Sequence, residues 1–304
     1  MEDIERISER LDNIQSVEPI ITSLRTIAAG GWRQALRRRE GSEGYSRYLG
    51  EVMTATLPHI SRRELEKLHL DTETTSPPRR ALMLVIASQR GLAGAYNELV
   101  FRGGEQILDR QRMQSEEVLL ATLGARATSA FRRAGLEPYI SWDLPVTRVA
   151  PLELVRGLGQ EMRSILAEDR ADAIYLVYSP YRAAVTESPI AERWLPVDRS
   201  MLPGEAASWP EPFVETEPRR LFRRAIEEWA LSRLYRIVME AAASEQAARY
   251  RAMDAASSNL ERIIGELTLE YHTARQHAIT MEMLDLAAGA GSLSGPQGSA
   301  TEMM

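Results

Sequence analysis

Residues 260–281 read LERIIGELTLEYHTARQHAITM, and their spacing sets the architecture of the chain. Apolar or small residues recur at alternating steps of four and three, the heptad pattern of a helix with one buried stripe. These positions are Leu260, Ile264, Leu267, Tyr271, Ala274, Ala278 and Met281. Because a single stripe requires a single partner, the pattern predicts a long helix, over residues 217–287, that packs lengthwise against another helix.

A similar pattern near the other end of the chain predicts the partner, a helix over residues 2–57. Its apolar positions are three or four residues apart: Ile4, Ile7, Leu11, Ile14, Val17, Ile21, Leu24 and Ala28. Pro19 predicts a kink or a restart, since proline lacks the amide N–H that a helix interior uses. Gly30 and Gly31 suggest a close contact with another backbone. We therefore expect the two terminal helices to form a long antiparallel coiled coil.

Between these helices, apolar runs of strand length alternate with amphipathic segments. The predicted strands are 81–86, 118–121 and 173–178, and the predicted helices are 95–112, 126–134 and 152–167. Strands that alternate with helices indicate a parallel α/β sheet, here a Rossmann-like domain inserted between the arms. We expect four segments: an N-terminal helix (1–58), the inserted domain (76–213), a C-terminal helix (214–288) and a flexible tail (289–304).

The composition excludes several classes of function. The chain has 304 residues, a net charge of −6 and no cysteine, so disulfides and thiolate chemistry are excluded. A negative net charge argues against a nucleic-acid partner. We find no uncharged apolar run long enough to span a membrane and no apolar segment typical of a signal peptide near the N-terminus.

Candidate chemical sites are sparse. A glycine turn from Gly91 to Gly94 follows the first predicted strand, a context that can hold phosphate. It lacks the Lys-Ser/Thr of a phosphate loop, so a tight turn that requires small residues is the simpler interpretation. His272 and His277 are five residues apart and do not share a helix face. We expect no catalytic residue, no cofactor and no metal.

Several segments carry a resemblance to a known family. SEQAARYRAM (244–253) and ARQHAIT (274–280) resemble the C-terminal helix of the gamma subunits of F-type ATP synthases. VIASQRGLAGAYN (85–97) is similar to the family's strand and glycine turn, and YSPYRAAVTESPIAERWLPV (178–197) to its later hairpin. FVETEP (213–218) resembles the segment that enters the long helix near the membrane.

The N-terminal arm departs from the family pattern. The family is usually basic where this chain reads EPIITSLRTIAAGGWRQA (18–35). Pro19, Thr22 and Gly31 replace basic residues, whereas Arg25 retains one. Near the glycine turn, Gln89 and Ala93 also replace the Asp and Cys that are usual in the family. The departure suggests a divergent branch, such as a second, alternate ATPase of the same cell.

The resemblance implies a non-catalytic rotary central stalk, which couples ion-driven rotation of a membrane ring to ATP synthesis or hydrolysis. Its implied partners are the alpha and beta subunits of the catalytic head, the epsilon subunit and the membrane c-ring. It implies that Arg275, Gln276, Thr280 and Arg25 contact the catch loop of a beta subunit. It also places a foot against the ring, formed by Val214, Glu215 and Glu217.

The implied location is peripheral, on the cytoplasmic face of a bacterial cell membrane, without insertion of this chain. The resemblance does not extend to the coupling ion, proton or sodium, or to the direction of the reaction. Two alternatives from other classes are an α/β nucleotide-binding enzyme with helical dimerisation arms and a passive coiled-coil scaffold. The first needs a phosphate loop that we do not find, and the second does not explain the inserted domain.

Overall fold

The computed structural model describes residues 2–67, 77–146, 149–182, 187–197 and 216–293. The chain divides into two compact units, one of residues up to Leu24 together with those from Met253 on, and one of Arg25–Ala252. Helices α1 (Glu2–Thr56) and α6 (Pro218–Leu293) each contribute to both units. A 3-10 turn (Leu57–His59) and helix α2 (Arg62–Lys67) follow α1.

The inserted segment forms an α/β sheet. Its elements are β1 (Arg80–Ile86), α3 (Tyr96–Gln114), β2 (Glu117–Leu123), α4 (Ala125–Arg133), β3 (Ile140–Trp142), α5 (Leu152–Ala167), β4 (Ala173–Tyr178) and β5 (Ile190–Leu195). The strand order is β3-β2-β1-β4-β5, with the first four parallel and β5 antiparallel to β4. This confirms the α/β prediction, and β4 and β5 form the hairpin that the resemblance implied.

Strand β1 lies at the centre of the sheet and sends alternate side chains to opposite faces. Leu82 and Leu84 join a core with α5 and with the parts of α1 and α6 in the same unit. Met83 and Val85 join a second core with α3 and α4. Because both faces are covered, β1 is a continuous apolar run, as expected for a strand buried on both sides.

Within the unit of Arg25–Ala252, α1 and α6 pack against each other in opposite directions. A Cβ atom on Gly31 would lie 3.2 Å from the side chain of Gln246. Further along α1, the Ser42 hydroxyl donates to the carbonyl of Ser232 at 2.8 Å. Residues later in α1 therefore contact residues earlier in α6, which confirms the predicted antiparallel pairing in this unit. The expected close contact with another backbone is not found: a Cβ atom on Gly31 would meet only side-chain atoms of Gln246 among its nearest neighbours, and one on Gly30 would meet nothing within 4 Å.

In the other unit, the covered stripe of α1 follows the predicted spacing with one correction. The covered positions are Ile4, Ile7, Ser8, Leu11, Ile14, Glu18, Ile21 and Leu24. The prediction for Val17 is wrong: its side chain is 41% exposed, and Glu18 is half-buried instead. The stripe steps alternately by three and four residues, so the position after Ile14 is 18. Val17 is one residue earlier and therefore lies about 100° around the helix from the stripe. The helix runs through Pro19 without a restart.

The stripe on α6 ends earlier than its sequence pattern. The predicted positions from Leu260 to Ala278 are buried or half-buried, but Met281 is 47% exposed, so that prediction is wrong. Ile7 is the first buried residue on α1, and Leu267 is the last on α6 among side chains the structure describes, as expected of antiparallel helices. Beyond Leu267, Tyr271, Ala274 and Ala278 are still half-buried, and the described α6 side chains from 281 to 287 are all exposed.

Helix α6 ends at Leu293, so the first residues of the expected tail, 289–293, are helical and the others lie outside the described residues. Over the part of the chain that the structure describes, no helix has an apolar stretch long enough to cross a membrane.

Candidate functional site

The residues predicted to contact a partner near the C-terminus lie on one exposed section of α6. Arg275, Gln276 and Thr280 are all exposed. The Thr280 hydroxyl donates to the carbonyl of Gln276 at 2.9 Å, an ordinary bond within the helix. Among the described residues, none forms a hydrogen bond or an ion pair with the Arg275 side chain. The guanidinium and the Gln276 amide are thus available to another molecule.

Arg25 lies in a different environment. It is half-buried on α1, in the unit of Arg25–Ala252, and it already has an interaction partner within the chain. Its side chain is therefore less available to a partner protein than that of Arg275.

The predicted foot is described only in part. Glu217 is exposed and immediately precedes α6, where its carbonyl accepts the amide of Leu221 at 3.1 Å. Its contact with a membrane ring stays a prediction. Val214 and Glu215 lie outside the described residues.

The glycine turn after β1 is held by contacts within the chain. The Gln89 side-chain oxygen accepts the amides of Leu144 at 2.8 Å and of Ala125 at 3.2 Å. The Ser88 carbonyl accepts the amide of Arg126 at 3.1 Å. The first amides of α4, beside the turn, are thus occupied, and at the helix that the glycine turn opens, α3, the amide of Tyr96 donates to the Ala93 carbonyl at 3.1 Å. This geometry favours the tight-turn interpretation over a nucleotide site.

The same turn rests on α6 through an ion pair. The Arg249 guanidinium pairs with Glu245 at 2.7 Å and donates to the carbonyls of Arg90 and Gly91, both at 3.2 Å. Burial raises the pKa of Glu245, although the charge and hydrogen bond of Arg249 oppose it. The SEQAAR segment and the glycine turn, separate in sequence, therefore form one contact whose role is to seat the sheet on α6.

Within the described ranges, no group of three or more His, Asp or Glu side chains could hold a metal ion. The Ser88 hydroxyl lies 2.8 Å from the Asn97 side-chain oxygen and 2.5 Å from the Arg90 carbonyl, so it is part of the turn.

A comparison with protein families gives a match to the ATP synthase family model over residues 3–293. Among curated proteins, the ATP synthase gamma chain of Histophilus somni (strain 129Pt) is 29% identical over 297 residues, covering 94% of this chain and 98% of the relative. The ATP synthase gamma chain of Synechococcus elongatus is 26% identical over 320 residues, covering 97% of this chain and 100% of the relative.

Solved structures agree on the fold. A chain in the cryo-EM structure of the Euglena gracilis mitochondrial ATP synthase (OSCP/F1/c-ring, rotational state 3) superposes with a TM-score of 0.64 at 15% identity, covering 100% of this chain and 99% of that one. A chain in the central stalk/c-ring structure of the Tetrahymena thermophila mitochondrial ATP synthase gives a TM-score of 0.56 at 19% identity, covering 78% of this chain and 99% of that one.

Proposed function

The chain belongs to the gamma-subunit family of ATP synthase, the rotary central stalk of the F-type complex, and we propose that it couples ion-driven rotation of a membrane ring to ATP synthesis or hydrolysis in the catalytic head. The observation that carries this proposal is the family match over residues 3–293, which includes both terminal helices and the inserted sheet. The subunit is non-catalytic, and its partners are the alpha and beta subunits, the epsilon subunit and the c-ring.

The proposed mechanism uses the shape of the molecule instead of a reaction centre. A coupling element has to make different contacts with different states of its partner. Around α6 beyond Ala252, one stripe is covered and the remaining faces are exposed. As the shaft turns, each catalytic subunit in succession would meet a different face of this helix, and its nucleotide affinity would change accordingly.

The proposed catch consists of Arg275, Gln276, Thr280 and Arg25, which would contact a loop of a beta subunit. Support comes from the exposed, unpaired state of Arg275 among the described residues and from the ARQHAIT resemblance. A guanidinium can bind a carboxylate through two parallel hydrogen bonds, and a glutamine amide can both donate and accept. Arg25 would contribute less, because it already has a partner within the chain.

The proposed foot consists of Val214, Glu215 and Glu217, which would lie against polar loops of the membrane ring. The resemblance of FVETEP and the exposure of Glu217 at the entrance to α6 support it. We place the assembled complex on the cytoplasmic face of a bacterial membrane, with either a proton or a sodium ion as the coupling ion. The replaced basic residues of the N-terminal arm suggest an alternate ATPase.

Reconstitution tests the proposed function. The complex is purified through a tag on this chain and inserted into liposomes, and ATP hydrolysis and ATP-driven ion uptake are measured together. We expect co-purification of a ring of three alpha and three beta subunits and of the c-ring, with ion uptake that depends on this chain. A complex that lacks this chain but still pumps ions at the full rate would contradict the proposal.

A further inference from the structure

A carboxylate on the edge strand β5 is bound by donors from two other elements. Glu192 Oε1 accepts from Nη2 and Nε of Arg233 at 2.6 and 3.0 Å. Arg236 Nη2 lies 3.1 Å from Oε1 and 3.3 Å from Oε2 of the same carboxylate. The Tyr178 hydroxyl, on β4, donates to Oε2 at 3.0 Å. One side chain of the sheet thereby joins β4, β5 and α6, all within the unit of Arg25–Ala252.

The cluster is balanced in charge and largely shielded from water. Glu240 accepts from Arg236 Nη1 at 2.9 Å, so the two arginines face two carboxylates. The exposed fractions of the side chains are 11% for Arg233, 23% for Arg236 and 25% for Glu192. Charge-assisted hydrogen bonds to partly buried groups hold their geometry better than exposed pairs do, because water competes less for the same donors.

A second contact lies beside the cluster. The buried Trp194 side chain, also on β5, donates from Nε1 to the carbonyl of Ala230 on α6 at 2.8 Å. Ala230, Arg233 and Arg236 are three residues apart, so the contacts follow one side of α6. Among the described strands, β5 pairs only with β4, and these side-chain contacts with α6 add to its support.

The geometry resists rotation of α6 about its own axis. With side chains, a helix has a radius of about 5–6 Å, so a rotation of about 10° moves its surface by about 1 Å. Such a displacement would lengthen hydrogen bonds of 2.6–3.3 Å beyond useful range. If the Trp194 hydrogen bond were the sole link, α6 could rotate about that bond relative to β5. The Glu192 carboxylate is held by both Arg233 and Arg236, and two points of attachment prevent this rotation.

We propose that Glu192, Arg233 and Arg236 form a torsional lock that makes the edge of the sheet and α6 turn as one body. β5 is the last described element before the segment that leads into α6, the segment in which the proposed foot lies. Glu217 of the proposed foot immediately precedes α6, so torque that enters at the foot would reach α6 directly, and the lock would make the sheet turn with α6 without slip. This inference rests on the proposed function and names the residues that hold the sheet to the rotating helix.

The lock can be tested by measuring how stiffly the α/β domain follows the rotation of α6. The chain has no cysteine, so Met113→Cys, at a position on α3 that is 85% exposed, gives a unique attachment point for a bead on the α/β domain. The catalytic head of the reconstituted complex is fixed to a surface, and ATP-driven rotation is recorded. We expect E192A to widen the angular variance during each pause at least twofold, with E192Q between E192A and the parent chain.

The matched control removes another two-point ion pair that does not reach α6. Glu116 accepts from Arg79 at 3.0 and 2.9 Å, and E116A should leave the variance unchanged. The far-UV circular dichroism of each variant verifies folding, and E192Q, which keeps the side-chain volume, replaces E192A if that variant does not assemble. A parental variance in both Glu192 variants within rotating complexes would overturn the lock alone. A parent chain that neither assembles nor rotates would overturn the proposed function.

Discussion

Ser42 of α1 and Ser232 of α6 face each other with their hydroxyl oxygens 2.9 Å apart. Each hydroxyl also lies within hydrogen-bond distance of the other residue's carbonyl, at 2.8 and 3.1 Å, and the Ser46 hydroxyl donates to Ser232 at 2.8 Å. Both serines are buried. A buried polar contact at one level of a helix pair fixes its register, because any shift leaves the polar groups unpaired.

We expect Ser232→Ala to lower the free energy of unfolding by about 1–3 kcal/mol, because the half-buried Ser46 hydroxyl loses its acceptor and the buried Ser42 hydroxyl keeps only the Ser232 carbonyl. Chemical denaturation of the purified chain measures the change. The control is Ser164→Ala, since the exposed Ser164 hydroxyl donates to the Glu161 carbonyl of its own helix. Similar losses in the two variants would show that the buried contact has no special role.

We expect Gly124→Ala to destabilise the chain by more than about 2 kcal/mol. Gly124 has a φ of 98°, and a Cβ atom there would lie 2.4 Å from the Ala87 carbonyl oxygen. The backbone at the start of α4 would have to move, and a non-glycine residue at this φ is strained in addition. Gly157→Ala, within α5 with nothing within 4 Å, should instead stabilise by up to about 1 kcal/mol. Thermal unfolding of both variants tests whether the two changes in stability have opposite signs.

Acid should weaken the parent chain more than E192Q. Burial alone would raise the pKa of Glu192, but the hydrogen bond and charge of Arg233, the charge of Arg236 and the Tyr178 hydroxyl outweigh it and lower the pKa below 4.5. A lowered pKa in the folded state stabilises above the unfolded pKa, and this contribution is lost as pH falls through the folded value. The free energy of unfolding should therefore fall more steeply in the parent between about pH 5 and 3. Parallel profiles would contradict the ionic role of Glu192.

We expect Arg275→Ala to reduce ATP turnover in the assembled complex without changing the fold, since Arg275 has no partner among the described residues. A shielded charge-assisted pair contributes about 1.5–3 kcal/mol, and an exposed one about 0–1 kcal/mol. Steady-state ATPase of the complex and circular dichroism of the free chain are measured together. Arg262→Ala is the control, because Arg262 pairs at 2.6 Å with Glu266 on its own helix. Unchanged turnover in a fully assembled Arg275 variant would remove the proposed catch.

We expect Glu215→Lys to weaken attachment to the membrane ring more than assembly with the catalytic head, because the proposed foot faces the ring. Co-sedimentation with the c-ring and with the isolated head gives the two affinities. Glu9→Lys, at an exposed position on α1, is a charge-matched control far from the foot in sequence. A variant that loses both attachments equally would contradict the placement of the foot.

Hydrophobic spacing predicted the long helices and the central strands well, and its errors have identifiable causes. Val17 fits a step of three from Ile14 but not the alternation of three and four, so Glu18 takes the covered position. Met281 continues the heptad of α6, but the described side chains from 281 to 287 are all exposed, so the covered stripe ends before it. β3 has three residues and was missed because so short a segment carries no measurable period.

The local order of apolar residues was enough to define the two terminal helices and the parallel sheet, since a long helix shows a period of 3.6 and a strand buried on both faces shows a continuous apolar run. The same order could not predict that Glu192 meets Arg233 and Arg236, or that the glycine turn at Arg90 and Gly91 rests on Arg249. These contacts join residues that are roughly 40 to 160 positions apart. They depend on the strand order and on which side of α6 faces the sheet, and both are set by packing of the whole domain, so no local spacing encodes them.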